Sequence, residues 1–197
     1  MNLDAFDYFL PEKKIAQNPK KNRSSSKLLL INRKTHELKD EIFSNIHNYF
    51  TSKDLLIVND TKVIPARVIG YRKETKGKVE IFIERILSKK KFTCQIQSTR
   101  KLKNKNIVLV NDEIELKILD NDGIKCEIEI LNSNINYILE NFGEIPLPPY
   151  INREATNNDK LYYQTIFAQK EGSVASPTAA LHFDKKTLNN LRNKNIK

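Results

Sequence analysis

Val79-Glu-Ile-Phe-Ile-Glu84 places Val79, Ile81 and Ile83 on one side of an extended chain and Glu80, Phe82 and Glu84 on the other, the two-residue period of a half-buried strand. Cys126-Glu-Ile-Glu-Ile130 repeats it. Around these two, β-like runs occupy Val63 to Tyr71, Lys78 to Leu87, Phe92 to Ser98, Ile107 to Val110, Glu113 to Leu119 and Lys125 to Ile130. Thr75-Lys-Gly77 and Asn121-Asp-Gly123 supply turns between them. Six short strands at near-regular spacing within about 80 residues predict a small closed barrel or sandwich.

The texture on either side is different. Lys27 to Ile31 reads as a strand, Asn32 to His36 as a turn and Glu37 to Phe43 as a returning strand, with Ser44 as the N-cap of a short helix through Asn48, Tyr49 and Phe50. Leu55 to Val58 is a continuous apolar run that predicts a buried strand. Beyond the β-rich stretch, Asn136 to Phe142 reads as a helix stopped by Gly143 in the C′ position, and Ile145-Pro-Leu-Pro-Pro-Tyr-Ile151 as a stiff connector packed on its own protein. Asp159 to Ala168 and the amphipathic Asp184 to Lys194 read as helices. The pattern predicts a discontinuous α/β domain, residues 1–61 and 144–197, into which a β-barrel domain of residues 62–143 is inserted.

At 197 residues and 39% hydrophobic content the chain can bury a real core, which excludes wholesale disorder. No apolar run approaches the ~18 residues of a membrane span. Met1-Asn-Leu-Asp-Ala-Phe-Asp7 carries neither the basic nor the apolar part of a secretory signal, so a soluble, cytoplasmic protein without membrane partners is expected. Cys94 and Cys126 form no Cys-x-x-Cys pair or metal cluster and read as reduced packing residues. The net charge of +10 fits a nucleic-acid partner, but 26 of the 34 basic residues are Lys, and Asn and Ile are abundant, as an A+T-biased genome would produce unselected. More specific is Lys89 to Lys105, where Lys89, Lys90, Lys91, Arg100, Lys101, Lys103 and Lys105 occur without one acid. It reads either as a seat for an RNA backbone or as a lysine-protected strand edge.

Two stretches look built for a ligand. In Leu55-Leu-Ile-Val-Asn-Asp-Thr-Lys-Val-Ile-Pro-Ala-Arg67 the polar Asn59, Asp60 and Thr61 follow the apolar run at its carboxyl end, where open α/β sheets bind ligands. In Gly172-Ser-Val-Ala-Ser-Pro-Thr-Ala-Ala-Leu-His-Phe183 the small residues, Ser173 among them, allow close approach, and Pro177 stiffens the chain ahead of Thr178 and His182.

Together with Phe6-Asp7-Tyr8 and Leu10-Pro11, Ile15-Ala-Gln-Asn-Pro19 and Arg23, Gly77-Lys-Val-Glu80, Gly143-Glu-Ile-Pro-Leu-Pro-Pro-Tyr-Ile151 and Tyr163-Gln-Thr165, these stretches give the chain a close resemblance to the S-adenosylmethionine:tRNA ribosyltransferase-isomerase family of queuosine biosynthesis. The resemblance implies a three-layer α/β domain carrying an inserted small antiparallel β-barrel. It implies transfer of the ribosyl part of S-adenosylmethionine to 7-aminomethyl-7-deazaguanine at the tRNA wobble position, with rearrangement to epoxyqueuosine and release of adenine and methionine. S-adenosylmethionine is then a substrate, and neither metal nor cofactor is indicated; a monomer is expected. Family members continue for well over a hundred residues past the Leu-His-Phe segment, so the C-terminal part of the α/β domain is expected to be missing. A non-catalytic tRNA-binding remnant using Lys89 to Lys105 is the alternative.

Such a reaction needs a base beside the sulfonium, a donor for departing adenine and polar groups for the ribose and methionine. Asp60 and Glu144 are candidates for the amine or ribose hydroxyls, Asn59 and Thr61 for orienting them, Arg67 for a carboxylate or phosphate, and His182, with Asp60, for acid-base work; Ser173 and Thr178 complete the substrate contacts. Against this, Asp60 and Thr61 equally suit an Asx or ST turn, Arg67 a structural ion pair, and His182 a core position. The chain departs from the family in three places: Ala180 and Lys76 stand where glycine is usual, and Val58 where Phe is common. If the glycine replaced by Ala180 holds positive φ, the loop is strained.

Overall fold

The computed structural model describes residues 2–197. Strands β1 (Lys27–Ile31) and β2 (Leu38–Ile42) form an antiparallel hairpin, Lys27 opposite Ile42 and Ile31 opposite Leu38. The turn is made by Asn32, whose side-chain oxygen accepts the N–H groups of Lys34 and Thr35, and by His36 at φ 58°. A 3-10 helix follows at Phe43–Tyr49, and Ser44 falls inside its first turn instead of capping it. Phe43 drops into a small core with Phe183 and Leu191, its ring meeting that of Phe183 edge-on at 4.9 Å.

Leu55 to Val58 corrects the expectation of a buried strand. It forms no strand, and Leu55 and Ile57 are 68% and 84% exposed. Hydrophobic pattern reports what a segment would bury, whereas a strand also needs neighbours to take its backbone groups. Among the described residues this segment has one such bond, from the Leu56 N–H to the Lys197 carbonyl at 2.7 Å. The strand begins later, as β3 (Thr61–Val63).

Pro65 then divides the expected run from Val63 to Tyr71, since it has no N–H to give a ladder. Strands β4 (Arg67–Arg72), β5 (Lys78–Ile86), β6 (Lys91–Ser98), β7 (Ile107–Val110), β8 (Ile114–Asn121) and β9 (Cys126–Ile130) follow. Their spatial order is β4-β5-β6-β9-β8-β7, and β7 returns to β4 through Tyr71 opposite Leu109 and Arg72 opposite Val108, so the six antiparallel strands close into a barrel. At this seam Gly70 is required, because a Cβ there would stand 2.7 Å from Val108 Cγ1 and 2.9 Å from the Leu109 carbonyl. Val79, Ile81 and Ile83 fill the interior, as the alternation predicts. Cys94 and Cys126 lie opposite each other on β6 and β9, both free and buried; the hydrogen bond between the thiols and the burial push Cys94 up, leaving it protonated and unreactive.

Helix α1 (Ile135–Phe142) closes one end of the barrel core with Ile135, Ile138 and Leu139, the spacing of one helical face. Each such burial contributes about 2 kcal/mol. Asn134 caps it by accepting the Tyr137 N–H at 3.0 Å. Gly143 has φ −77° and not the left-handed value of a C′ glycine. It is needed for a different reason: it opens β10 (Gly143–Glu144) against Val68 and Arg67 of β4, and a Cβ would collide with the carbonyls of Pro65 and Leu139.

Helix α2 (Asn157–Tyr162) is shorter than expected and starts at a capping box of Thr156 and Asp159. It stops because the chain is drawn aside at Gln164, whose amide takes both the N–H and the C=O of Val63, at 3.0 and 2.7 Å. Strand β11 (Lys170–Ser173) pairs with β3 in parallel. A 3-10 turn at Thr178–His182 leads to α3 (Lys185–Asn193), N-capped by Asp184, which accepts the Thr187 N–H at 2.7 Å. Ala180 sits in that turn without positive φ, so its methyl costs the loop nothing. The protein is therefore α/β with a closed six-stranded antiparallel barrel.

Candidate functional site

A cleft of about 700 Å³ opens where the outer face of the barrel meets the proline-rich segment and the loop before Thr178. The barrel contributes Arg67, Glu80, Phe82 and Gln97, and the opposite wall is Ile145-Pro-Leu-Pro-Pro-Tyr-Ile151 with Arg153, Glu154 and Ala155. Tyr163 and Val174, Ala175, Ser176 and Thr178 close the third side. Pro146, Pro148 and Pro149 have no N–H to present, and the Leu147 and Ile151 N–H groups are taken within the segment by the Ile145 and Pro148 carbonyls, leaving an apolar surface suited to a flat heteroaromatic group.

The wall is anchored at its C-terminal end. Gln17 donates to the Tyr150 carbonyl at 3.1 Å and accepts the Asn152 N–H at 2.7 Å, while its own carbonyl accepts from Arg153 Nε at 2.8 Å. Arg153 then grips Asp159 with both terminal nitrogens, at 2.7 and 2.8 Å. These bonds, outweighing the burial of the carboxylate, hold Asp159 well below its usual range.

Toward the barrel, Arg67 Nε and Nη2 reach Glu80 Oε2 at 3.3 and 2.9 Å, and Nη1 reaches Glu144 Oε2 at 2.5 Å. Lys78 Nζ lies 3.1 Å from the other Glu80 oxygen. Burial pulls the Arg67 pKa down, but both carboxylates outweigh it and the net shift is upward. Glu80 is pushed up by burial and carried below its normal value by Arg67 and Lys78. The carboxylates that Arg67 binds are therefore the protein's own, the structural ion pair that the sequence left open.

Of the residues singled out in the sequence, Arg67 and Thr178 line the cleft, and Glu144 stands behind Arg67 with its side chain 45% exposed. The others lie elsewhere. Asn59 accepts the Thr61 N–H at 2.8 Å in an Asx turn, and Asp60 pairs with Lys170 at 2.9 Å on the surface. Ser173 bonds Ala175 within its own loop. His182 packs its ring 5.4 Å from that of Phe43, in the small core and outside the cleft lining. The basic run is split, with Lys89, Lys90 and Lys91 at one end of β6 and Arg100, Lys101, Lys103 and Lys105 beyond the other, about 23 Å apart by strand rise.

Sequence reasoning missed Glu80, Phe82, Gln97 and Tyr163 as lining residues, while Ser176 falls among the small residues of the second stretch. One signal was present: Phe82 is a large apolar side chain on the outward face of a half-buried strand, where Glu80 and Glu84 are its neighbours. Among the described residues no helix is long and apolar enough to cross a membrane.

Across its full length the chain is 41% identical over 196 residues to the S-adenosylmethionine:tRNA ribosyltransferase-isomerase of Sulfurihydrogenibium sp., covering 58% of that protein. It is 44% identical over 191 residues to the protein of that name from Coxiella burnetii, 96% of this chain and 55% of the relative. A crystal structure of S-adenosylmethionine tRNA ribosyltransferase from Thermotoga maritima superposes with a TM-score of 0.39 at 23% identity, over 98% of this chain and 55% of the other. The chain thus spans somewhat over half the length of the curated relatives it matches. Residues 3–197 match the family described as queuosine biosynthesis protein, and the chain belongs to that family.

Proposed function

We propose that the cleft binds S-adenosylmethionine and that the chain acts in ribosyl transfer from it to 7-aminomethyl-7-deazaguanine at the wobble position of tRNA, the ribose being isomerised to give epoxyqueuosine. The observation that carries this reading is the convergence on one cleft of four stretches shared with the family: Arg67 of the first loop, Glu80, the proline-rich wall, and Ser176 with Thr178 of the second loop. The apolar wall suits adenine. S-adenosylmethionine is consumed as a substrate, and the reading invokes no metal or bound cofactor.

The tRNA lies, on this reading, along the end of β6 beside the cleft. Gln97 lines the cleft, and Arg100 follows by three residues, within about 10 Å by chain reach. Lys89, Lys90 and Lys91 meet a more distant phosphate. Residues 62–143 act as an inserted unit presenting this face, in a cytoplasmic monomer.

The test is incubation of the purified chain with S-adenosylmethionine and tRNA carrying 7-aminomethyl-7-deazaguanine, read by mass spectrometry. Adenine release together with the modified nucleoside is the expected result; neither product from a folded chain overturns it. One observation favours a second reading, tRNA binding without turnover: His182, the acid-base candidate, lies outside the cleft lining. Salt-sensitive tRNA retention without adenine release would select it.

A further inference from the structure

Ser176 lines the cleft, is 7% exposed, and its Oγ is buried with no hydrogen-bond partner among the described residues. Buried hydroxyls are satisfied almost without exception, so this one points to a partner from outside the chain. Its position is fixed. Pro177 follows directly, and Ser173 Oγ braces the loop by donating to the Ala175 carbonyl at 2.7 Å and accepting the Ala175 N–H at 3.2 Å.

Tyr163 lines the same cleft, with the backbone N–H of Ser176 near enough to its phenolic oxygen to pull its pKa down. An N–H facing that oxygen leaves the phenolic hydrogen to donate elsewhere. Burial, outweighing the effect of the Ser176 N–H, raises the Tyr163 pKa, so the group remains a donor at neutral pH.

The charged groups nearby narrow the ligand class. The two arginines of the lining are occupied, Arg67 by Glu80 and Glu144, and Arg153 by Asp159 and the carbonyls of Gln17 and Glu154. A carboxylate would want a cation to spare, and an ammonium would find in Tyr163 a donor where it needs an acceptor. A neutral hydroxyl both donates and accepts, which suits Ser176 Oγ in either role and Tyr163 as donor.

We infer that Tyr163 and Ser176 form a subsite for the vicinal hydroxyls of a ribose, so that the cleft recognises its ligand by the nucleoside part. This rests on the reading of the cleft as the S-adenosylmethionine site. The apolar wall then takes the base, and the hydroxyl end fixes the sugar against it. The subsite adds two substrate-positioning residues, both from stretches outside the barrel.

Calorimetric titration with adenosine, 2′-deoxyadenosine, methionine and S-adenosylmethionine tests it on the wild-type chain and on Ser176→Ala and Tyr163→Phe. Adenosine is expected to bind wild type about tenfold more tightly than 2′-deoxyadenosine, and each substitution to weaken adenosine by about five- to tenfold while narrowing that preference. Ser176→Ala is expected to leave the thermal midpoint unchanged or raised, because it removes an unpartnered hydroxyl. Wild type that binds adenosine, with variants that match it, overturns the subsite and leaves the functional reading standing. Wild type that binds methionine and S-adenosylmethionine but not adenosine also overturns the subsite alone, whereas binding of neither adenosine nor S-adenosylmethionine overturns both.

Discussion

Arg67 and Glu80 meet diagonally across β4 and β5: in the ladder Arg67 stands opposite Phe82 and Glu80 opposite Ile69, yet both Nε and Nη2 of the arginine reach Glu80 Oε2. Phe82, opposite Arg67 in the ladder, lines the cleft beside this pair.

Glu80→Gln keeps the shape of this pairing and removes the charge. Its expected cost is about 1–2 kcal/mol in urea denaturation, since Arg67 retains Glu144. An unchanged denaturation midpoint would show that Glu144 alone secures Arg67.

Asp159 gives the fold an acid sensitivity. Its folded pKa lies well below the ordinary 3.8, so the unfolded chain takes up the proton first, and the stabilisation is fully present above the ordinary value and lost progressively as pH falls from there through the folded pKa. Wild type is expected to begin losing stability near about pH 5 and to go on losing it below about pH 3 until the folded pKa is reached, and Asp159→Asn to lose about 3 kcal/mol at pH 7 while showing a flatter profile over the acid range. Parallel pH profiles for the two proteins would assign the acid loss to other carboxylates.

Lys76 sits at φ 55°, where the family's usual glycine would be free of strain. Lys76→Gly is expected to raise stability by about 0.5–1 kcal/mol, after allowing for the exposed pair with Asp112 at 3.1 Å. Thermal denaturation decides it, and a lower midpoint would mean that the ion pair outweighs the backbone strain.

The split of the basic run predicts unequal roles. Arg100→Ala with Lys101→Ala is expected to weaken tRNA binding and to reduce the salt slope by about 2, whereas Lys89→Ala with Lys90→Ala has a smaller effect. Equal losses from the two pairs would place the tRNA along the whole of β6 instead of at its cleft end.

The barrel was legible because strands that bury one face write that face into the sequence, as Val79, Ile81 and Ile83 do. Leu55 to Val58 was misread because an apolar run carries no information on whether neighbouring strands are present. The cleft was half legible. Arg67 and Thr178 stood in stretches of unusual composition, but Glu80 and Gln97 are ordinary polar residues on outward strand faces, and only the bend of the proline-rich wall over them makes them lining residues. Tyr163 and Ser176 come together in the cleft lining from separate segments, which leaves no trace in side-chain pattern.

Gln17 reaches 133–136 residues along the chain to hold Tyr150, Asn152 and Arg153. Ordinarily such a contact closes a very long loop. Val68 and Gly143, however, lie side by side in the β4–β10 ladder, so once the barrel has folded the 74 residues between them drop out of the loop as a short link. The effective loop is roughly halved, and each halving lowers the entropic cost of closure by about 0.6 kcal/mol. A barrel that folds first would thus act in time as well as in space, bringing Gln17 and the cleft wall within reach of each other.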